Sequence, residues 1–196
     1  MSEKILAVVL MACAVFVCYN GGIVIDTPLL PDQPATPIYS VERPVVNLPL
    51  ELRQSNWVGR QSEGSCVHAT MISLMRWQGR NALAAKWRKM YDSGETPAGL
   101  SGKFDRAGVR YAYTTSGDVK FLEWACRTRR GCGITVMGGV HMVALVHLDD
   151  KWACLLNNNE VSKYKWVPRA ALIAEWKASD GWAVTPLYAP AAPLPR

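Results

Sequence analysis

Histidine is scarce in this chain: three in 196 residues, at positions 68, 141 and 147. A structural zinc site uses closely spaced ligand pairs on both sides of an intervening stretch. Cys66 and His68 would make one such pair, but the second is missing, which argues against a metal centre built from Cys66, His68, His141 or His147. Internal repeats are also absent, which excludes solenoids and propellers. No basic run exceeds the cluster Arg127–Arg130, so the positive charge reads as solvated surface and no nucleic-acid partner is expected. No motif implies a cofactor.

Charge is missing altogether from Ile5 to Ile25, and Ile5 to Cys18 is wholly apolar. That is the length of a signal-peptide hydrophobic region, and Ala12-Cys13-Ala14 fits a small-x-small cleavage site. Leu10-Met11-Ala12-Cys13 loosely resembles a lipoprotein box, and an uncleaved anchor is the third option. A buried helix of a cytosolic fold is the bland alternative. We therefore expect residues 1–25 to be a signal peptide or membrane anchor, and the protein to be exported or held at the cell envelope through its N-terminus. Residues 26–50 read as a linker, with four prolines between Thr27 and Pro37 and no periodicity. A catalytic body over 51–189 and a Pro/Ala-rich tail over 190–196 complete the expected organisation.

What is present fits a packed domain: 49% hydrophobic residues, 19% charged, and eight tryptophans. Residues 1–50 hold two Lys/Arg against four Asp/Glu, and residues 51–196 hold twenty against twelve, so the net +6 splits as −2 and +8. A basic body could favour an anionic surface such as cell-wall polymer. Of six cysteines, Cys13 and Cys18 lie in the apolar segment. The other four allow three complete pairings. Cys126 and Cys132 are close enough in sequence to bridge in an oxidising compartment, while Cys154 alternates into a hydrophobic strand as a small apolar residue.

Periodicity predicts a largely buried helix from about Cys66, ended by Gly79 as its C′ residue. Further helices are predicted over Asn81–Tyr91, Gly99–Ala107 and from an Asp118 cap to about Arg129. Val109–Thr115, Gly133–Met137, His141–Leu148 and Lys151–Asn157 read as strands, the last two as a hairpin. Val167-Pro168-Arg169 opens a helix to about Trp176, and Trp182–Leu187 is a final strand. Helices first and a meandering, antiparallel sheet second predicts an α+β fold.

Cys66 follows the Gly/Ser loop Gly59-Arg60-Gln61-Ser62-Glu63-Gly64-Ser65 and begins that first helix. Unpaired N–H groups and the positive end of the helix dipole favour a thiolate there. Thiol catalysis also needs a base and a group that fixes the base's tautomer. His141 leads one strand and Asn157 closes the next. Taken singly, each has an ordinary structural explanation; their order and contexts lift the set. Two residues from Cys66 along a helix, His68 points to another face and is a poor base. His147, six residues along the strand from His141, shares its face in regular alternation.

This arrangement resembles the papain-like cysteine peptidases, nearest to the compact bacterial enzymes that trim leader peptides in bacteriocin export. His141 follows Cys66 by 75 residues, Asn157 follows His141 by 16, and His141-Met142-Val143-Ala144-Leu145-Val146 is similar to that family's histidine strand. The resemblance implies a papain-like fold over about residues 55–187, its N-terminal helical part carrying a Cys-bearing central helix packed on a C-terminal antiparallel sheet, and a peptide or protein substrate. It implies Cys66 as nucleophile, His141 as general base and acid, and Asn157 as orienter. An upstream glutamine, six residues before the cysteine in that family, would bind the oxyanion with the Cys66 N–H. Arg60 holds that position here, so Gln61 is the candidate. Asn158 and Asn159 remain alternatives to Asn157; alternation makes Asn158 the least suited. A CHAP-type cell-wall amidase and a non-catalytic binding module are the rival functions.

Overall fold

The computed structural model describes Val46 and residues 48–188, all within one compact unit. The expected signal or anchor segment, most of the linker, Cys13, Cys18 and the 190–196 tail lie outside the described residues. Among the described residues, no helix is long and apolar enough to cross a membrane.

A short 3-10 turn at Leu50–Leu52 precedes α1 (Cys66–Trp77), α2 (Asn81–Met90) and α3 (Pro97–Arg106). There follow β1 (Tyr111–Thr114), α4 (Val119–Arg127), β2 (Cys132–Val136), β3 (His141–Leu148), β4 (Trp152–Leu156), β5 (Lys165–Pro168), α5 (Arg169–Ala178) and β6 (Ala183–Pro186). The six strands form one antiparallel sheet in the order β1-β6-β2-β3-β4-β5. The α+β class and the antiparallel sheet are as the pattern predicts.

Local chemistry explains the element ends. Every residue of α1 except Arg76 is buried, and Gly79, at φ +74°, supplies the left-handed residue after its C-cap. α3 starts two residues earlier than its periodicity suggests, because Thr96 accepts the Gly99 N–H at 3.1 Å and Pro97 fits the first helical position. Asp118 caps α4 through the Lys120 N–H at 3.0 Å. That helix stops at Arg127 rather than Arg129, since Arg129 (φ 59°) and Gly131 (φ 63°) turn the chain left-handed. β5 escapes the sequence reading: it is a half-exposed edge strand, begun by a lysine and closed by a proline, both suited to an edge.

The sheet is covered on both faces. Met142, Ala144 and Val146 of β3 face Met71, Leu74 and Met75 of α1, with Trp87 and Phe104 behind them. Val143 and Leu145 point the other way, into a second core with Leu122 and Ala125 of α4 and Leu172 and Trp176 of α5. A bulge between Leu145 and His147 breaks the alternation. His147 is thereby turned from the face expected for it and sits beside Trp166, its Nε2 3.0 Å from Asp149. Cys126 and Cys132 are both free thiols in the second core, so the Cys126–Cys132 bridge is not formed in this structure.

Trp176 is the anchor of that second core, fully buried, with its Nε1 donating to the Trp182 carbonyl at 2.8 Å. Trp176→Ala should cost about 3–5 kcal/mol, chiefly through the cavity left in that core. Urea unfolding measures this; a loss under about 1 kcal/mol would show that α5 is not needed to seal the sheet.

Candidate active site

The loop before Cys66 is a small hairpin. Gly59 donates its N–H to Glu63 (2.7 Å), Val58 bridges Gly64, and Ser65 donates to Trp57 (2.9 Å). This register holds Gln61 at the apex, exposed, with its own N–H on Ser93 Oγ at 3.3 Å. The apex rests on residues 92–94: Arg60 pairs with Asp92 at 3.0 Å, and a Cβ on Gly59 would collide with the Ser93 backbone nitrogen and hydroxyl.

Ser65 is the N-cap residue of α1, yet its hydroxyl does not cap its own helix. It accepts the Ser93 N–H at 2.8 Å. The first-turn N–H groups of α1 are thus left for other acceptors, and the Val67 N–H is directed to the Cys66 sulfur.

Across from Cys66, His141 begins β3. Its Nε2 lies 3.0 Å from Asn157 Oδ1. The same oxygen accepts the Asn159 N–H at 3.0 Å, which fixes the amide's orientation, so Nε2 carries a hydrogen and Nδ1 is left for the Cys66 thiol. Burial of the sulfur pushes the Cys66 thiol up. The His141 hydrogen bond, the Met142 N–H, the imidazolium charge and the Val67 N–H outweigh it, and the thiol lies below its ordinary range. His141 is raised, chiefly by its hydrogen bond to Cys66; burial opposes this, and Asn157 and the thiolate charge add to it. Both shifts favour a thiolate–imidazolium pair, which is a sulfur nucleophile with a proton donor beside it.

Asn158 performs a task that sequence reasoning missed. Buried under the site, its Nδ2 reaches the Cys66 carbonyl (3.0 Å), Thr70 Oγ1 (3.0 Å) and the Met142 carbonyl (2.8 Å). It ties the start of α1 to the start of β3. Nothing in the residue pattern marks this, because two of its three acceptors are backbone carbonyls 76 residues apart.

His68 points away from Cys66, into the helical layer. Its Nδ1 accepts the Trp87 indole N–H at 3.2 Å, and its ring stacks on Tyr91. Burial first, and the Lys103 charge second, hold it down at about 4, so it is neutral. Among the described residues, no three His, Cys, Asp or Glu side chains converge as metal ligands.

Cys66, His141 and Met142 open onto a cavity of about 330 Å³. Its other walls include Asn56, Glu63, Glu95, Thr135, Val140 and Trp182; Gln61 is not among them. The structure therefore brings together Cys66, His141 and Asn157 and leaves the Gln61 side chain outside. Asn56, unremarked in the sequence, stands on the cavity wall. Reading residues 57–65 as a hairpin would have pointed to it.

No protein-family model and no curated protein matches the chain. Among solved structures it is similar to a double-glycine motif protease from an AMS/PCAT transporter, crystallised in complex with the leader peptide. The match has 14% identity and a TM-score of 0.45, and covers 69% of this chain and 94% of that one.

The thiols differ in a way that labelling can read. Burial, with the neighbouring Cys154, pushes Cys126 far above its ordinary value, and burial with Cys126 does the same to Cys132. At about pH 6, well below the ordinary thiol pKa of ~8.5, iodoacetamide should alkylate Cys66 and leave those two intact. Lowering the pH protonates the thiolate and slows the reaction. In His141→Ala the partner cation is gone, so the rate should rise only near or above pH ~8.5. Mass spectrometry of timed samples checks this, and an unchanged profile in the variant would separate His141 from the thiol.

Proposed function

We propose that the protein is a thiol peptidase of the papain-like kind, hydrolysing peptide bonds through a Cys66 acyl-enzyme. The observation that carries the reading is the bonding of His141. One ring nitrogen is held by Asn157 at 3.0 Å, while the other is left for a thiol at a helix start, beside an open cavity.

The chemistry follows from those bonds. Cys66 Sγ attacks the substrate carbonyl carbon, and the carbonyl electron pair moves to oxygen. As that pair returns, the C–N bond breaks and His141 gives its Nδ1 proton to the leaving amine. The thioester remains. A water molecule then loses a proton to His141 and attacks the thioester, which releases the acid and restores the thiolate–imidazolium pair. Asn157 keeps the imidazole in one tautomer and one orientation throughout.

A peptide or protein is the proposed substrate. We also propose that the apolar stretch in residues 1–25 exports the protein or anchors it at a membrane, which would place this chemistry in the cell envelope or outside it.

Purified wild-type protein should cut members of a peptide library, and Cys66→Ala should abolish cleavage with an unchanged melting temperature. Full activity in Cys66→Ala would rule out the nucleophile. Turbidity loss on purified cell wall, with no peptide cleaved, would move the assignment to a CHAP-type amidase or endopeptidase. Neither activity, with Cys66 alkylated no faster than a free cysteine, would leave a non-catalytic module.

A further inference from the structure

We infer that Asn56, rather than Gln61, donates the side-chain hydrogen bond to the oxyanion formed at Cys66. The inference rests on the thiol-acyl chemistry proposed above and assigns a further residue to it.

Register is the first observation. In the hairpin, residue 59 pairs with 63, 58 with 64 and 57 with 65. Carried one step further, the same register sets Asn56 abreast of Cys66, while Gln61 rides at the far end. Placement agrees: Asn56 lines the cavity with Cys66 and His141, and a Cβ on Gly64 would lie 3.2 Å from Asn56 Nδ2.

The amide is also held in the required sense. Its Oδ1 accepts the Trp57 N–H at 2.9 Å, so the other end of the amide is the donor. One Nδ2 hydrogen goes to Asn159 Oδ1 at 2.9 Å, which leaves the second for the cavity. The Asn56 N–H bonds the Asn158 carbonyl at 2.7 Å, so the residue is fixed through main chain and side chain together. A donor fixed before reaction and aimed where charge develops is what oxyanion stabilisation requires. When Sγ adds to the carbonyl carbon, the oxygen gains the electron pair and accepts hydrogen bonds from Asn56 Nδ2 and from the Cys66 N–H, a first-turn group of α1. No proton is transferred to it, and the bonds weaken as the C=O reforms.

Two probes of Cys66 separate this role from simple structural support. Iodoacetamide alkylation displaces iodide at a saturated carbon and builds no oxyanion. Acylation by p-nitrophenyl acetate builds one. In Asn56→Ala, and in the near-isosteric and uncharged Asn56→Leu, acylation should fall roughly 10²-fold. Alkylation should stay within about twofold, and Gln61→Ala should change neither rate by more than that. Equal slowing of both reactions would overturn the inference, because Asn56 would then support the thiolate or the fold. No slowing of either, or the loss appearing in Gln61→Ala, would overturn it too. Failure of the peptidase reading looks different: wild-type protein that acylates with this Asn56 dependence but cuts no peptide keeps the donor and loses the substrate class.

Discussion

A thiol on a helix and an imidazole on a strand belong to elements with no reason of their own to stay in register. Here one buried amide couples them. Asn158 Nδ2 has two hydrogens and three acceptors within reach, the Cys66 and Met142 carbonyls and the Thr70 hydroxyl, so its bonds are shared. Its Oδ1 finds no partner among the described residues, a cost of about 1–3 kcal/mol for a buried polar atom. Flipping the amide would set oxygen against three acceptors, so the arrangement has one answer. The tie holds the helix start that carries Cys66 to the strand start that carries His141.

The neighbouring asparagines divide the remaining work. Asn157 fixes the imidazole, and the Asn159 side chain accepts from Asn56 while its N–H supports Asn157. Helix α1 forgoes its own cap in the same cause. A Ser N-cap bond contributes about 0.5–2 kcal/mol to a helix. Ser65 instead secures Ser93, which in turn supports the hairpin apex. The helix start is less satisfied internally and more available to a thiolate.

Much of this was legible in residue order. The buried helix opening at Cys66, its glycine stop, and the strands led by His141 and closing at about Asn157 follow from periodicity, turn residues and caps. What could not be read depends on geometry without a residue-type signal. β5 is four residues of ordinary composition whose strand character comes from pairing with β4. The bulge that turns His147 over is an extra residue, Val146, in a run that alternates no differently from its neighbours. Alternation puts Asn158 on the opposite side from Asn157, and that placement is what lets it join α1 to β3. The Gln61 expectation rests on a count back from the cysteine, and the hairpin carries that position out to its apex.

That doubling back has a wider consequence. In an antiparallel hairpin, adding one residue to each arm moves the apex outward and leaves the base untouched. Asn56 would then stand twelve residues before the cysteine instead of ten, at the same place in space. Linear offset and spatial address are thus independent variables in this loop. A side chain at its foot is located by pairing parity, whatever the length of the excursion between.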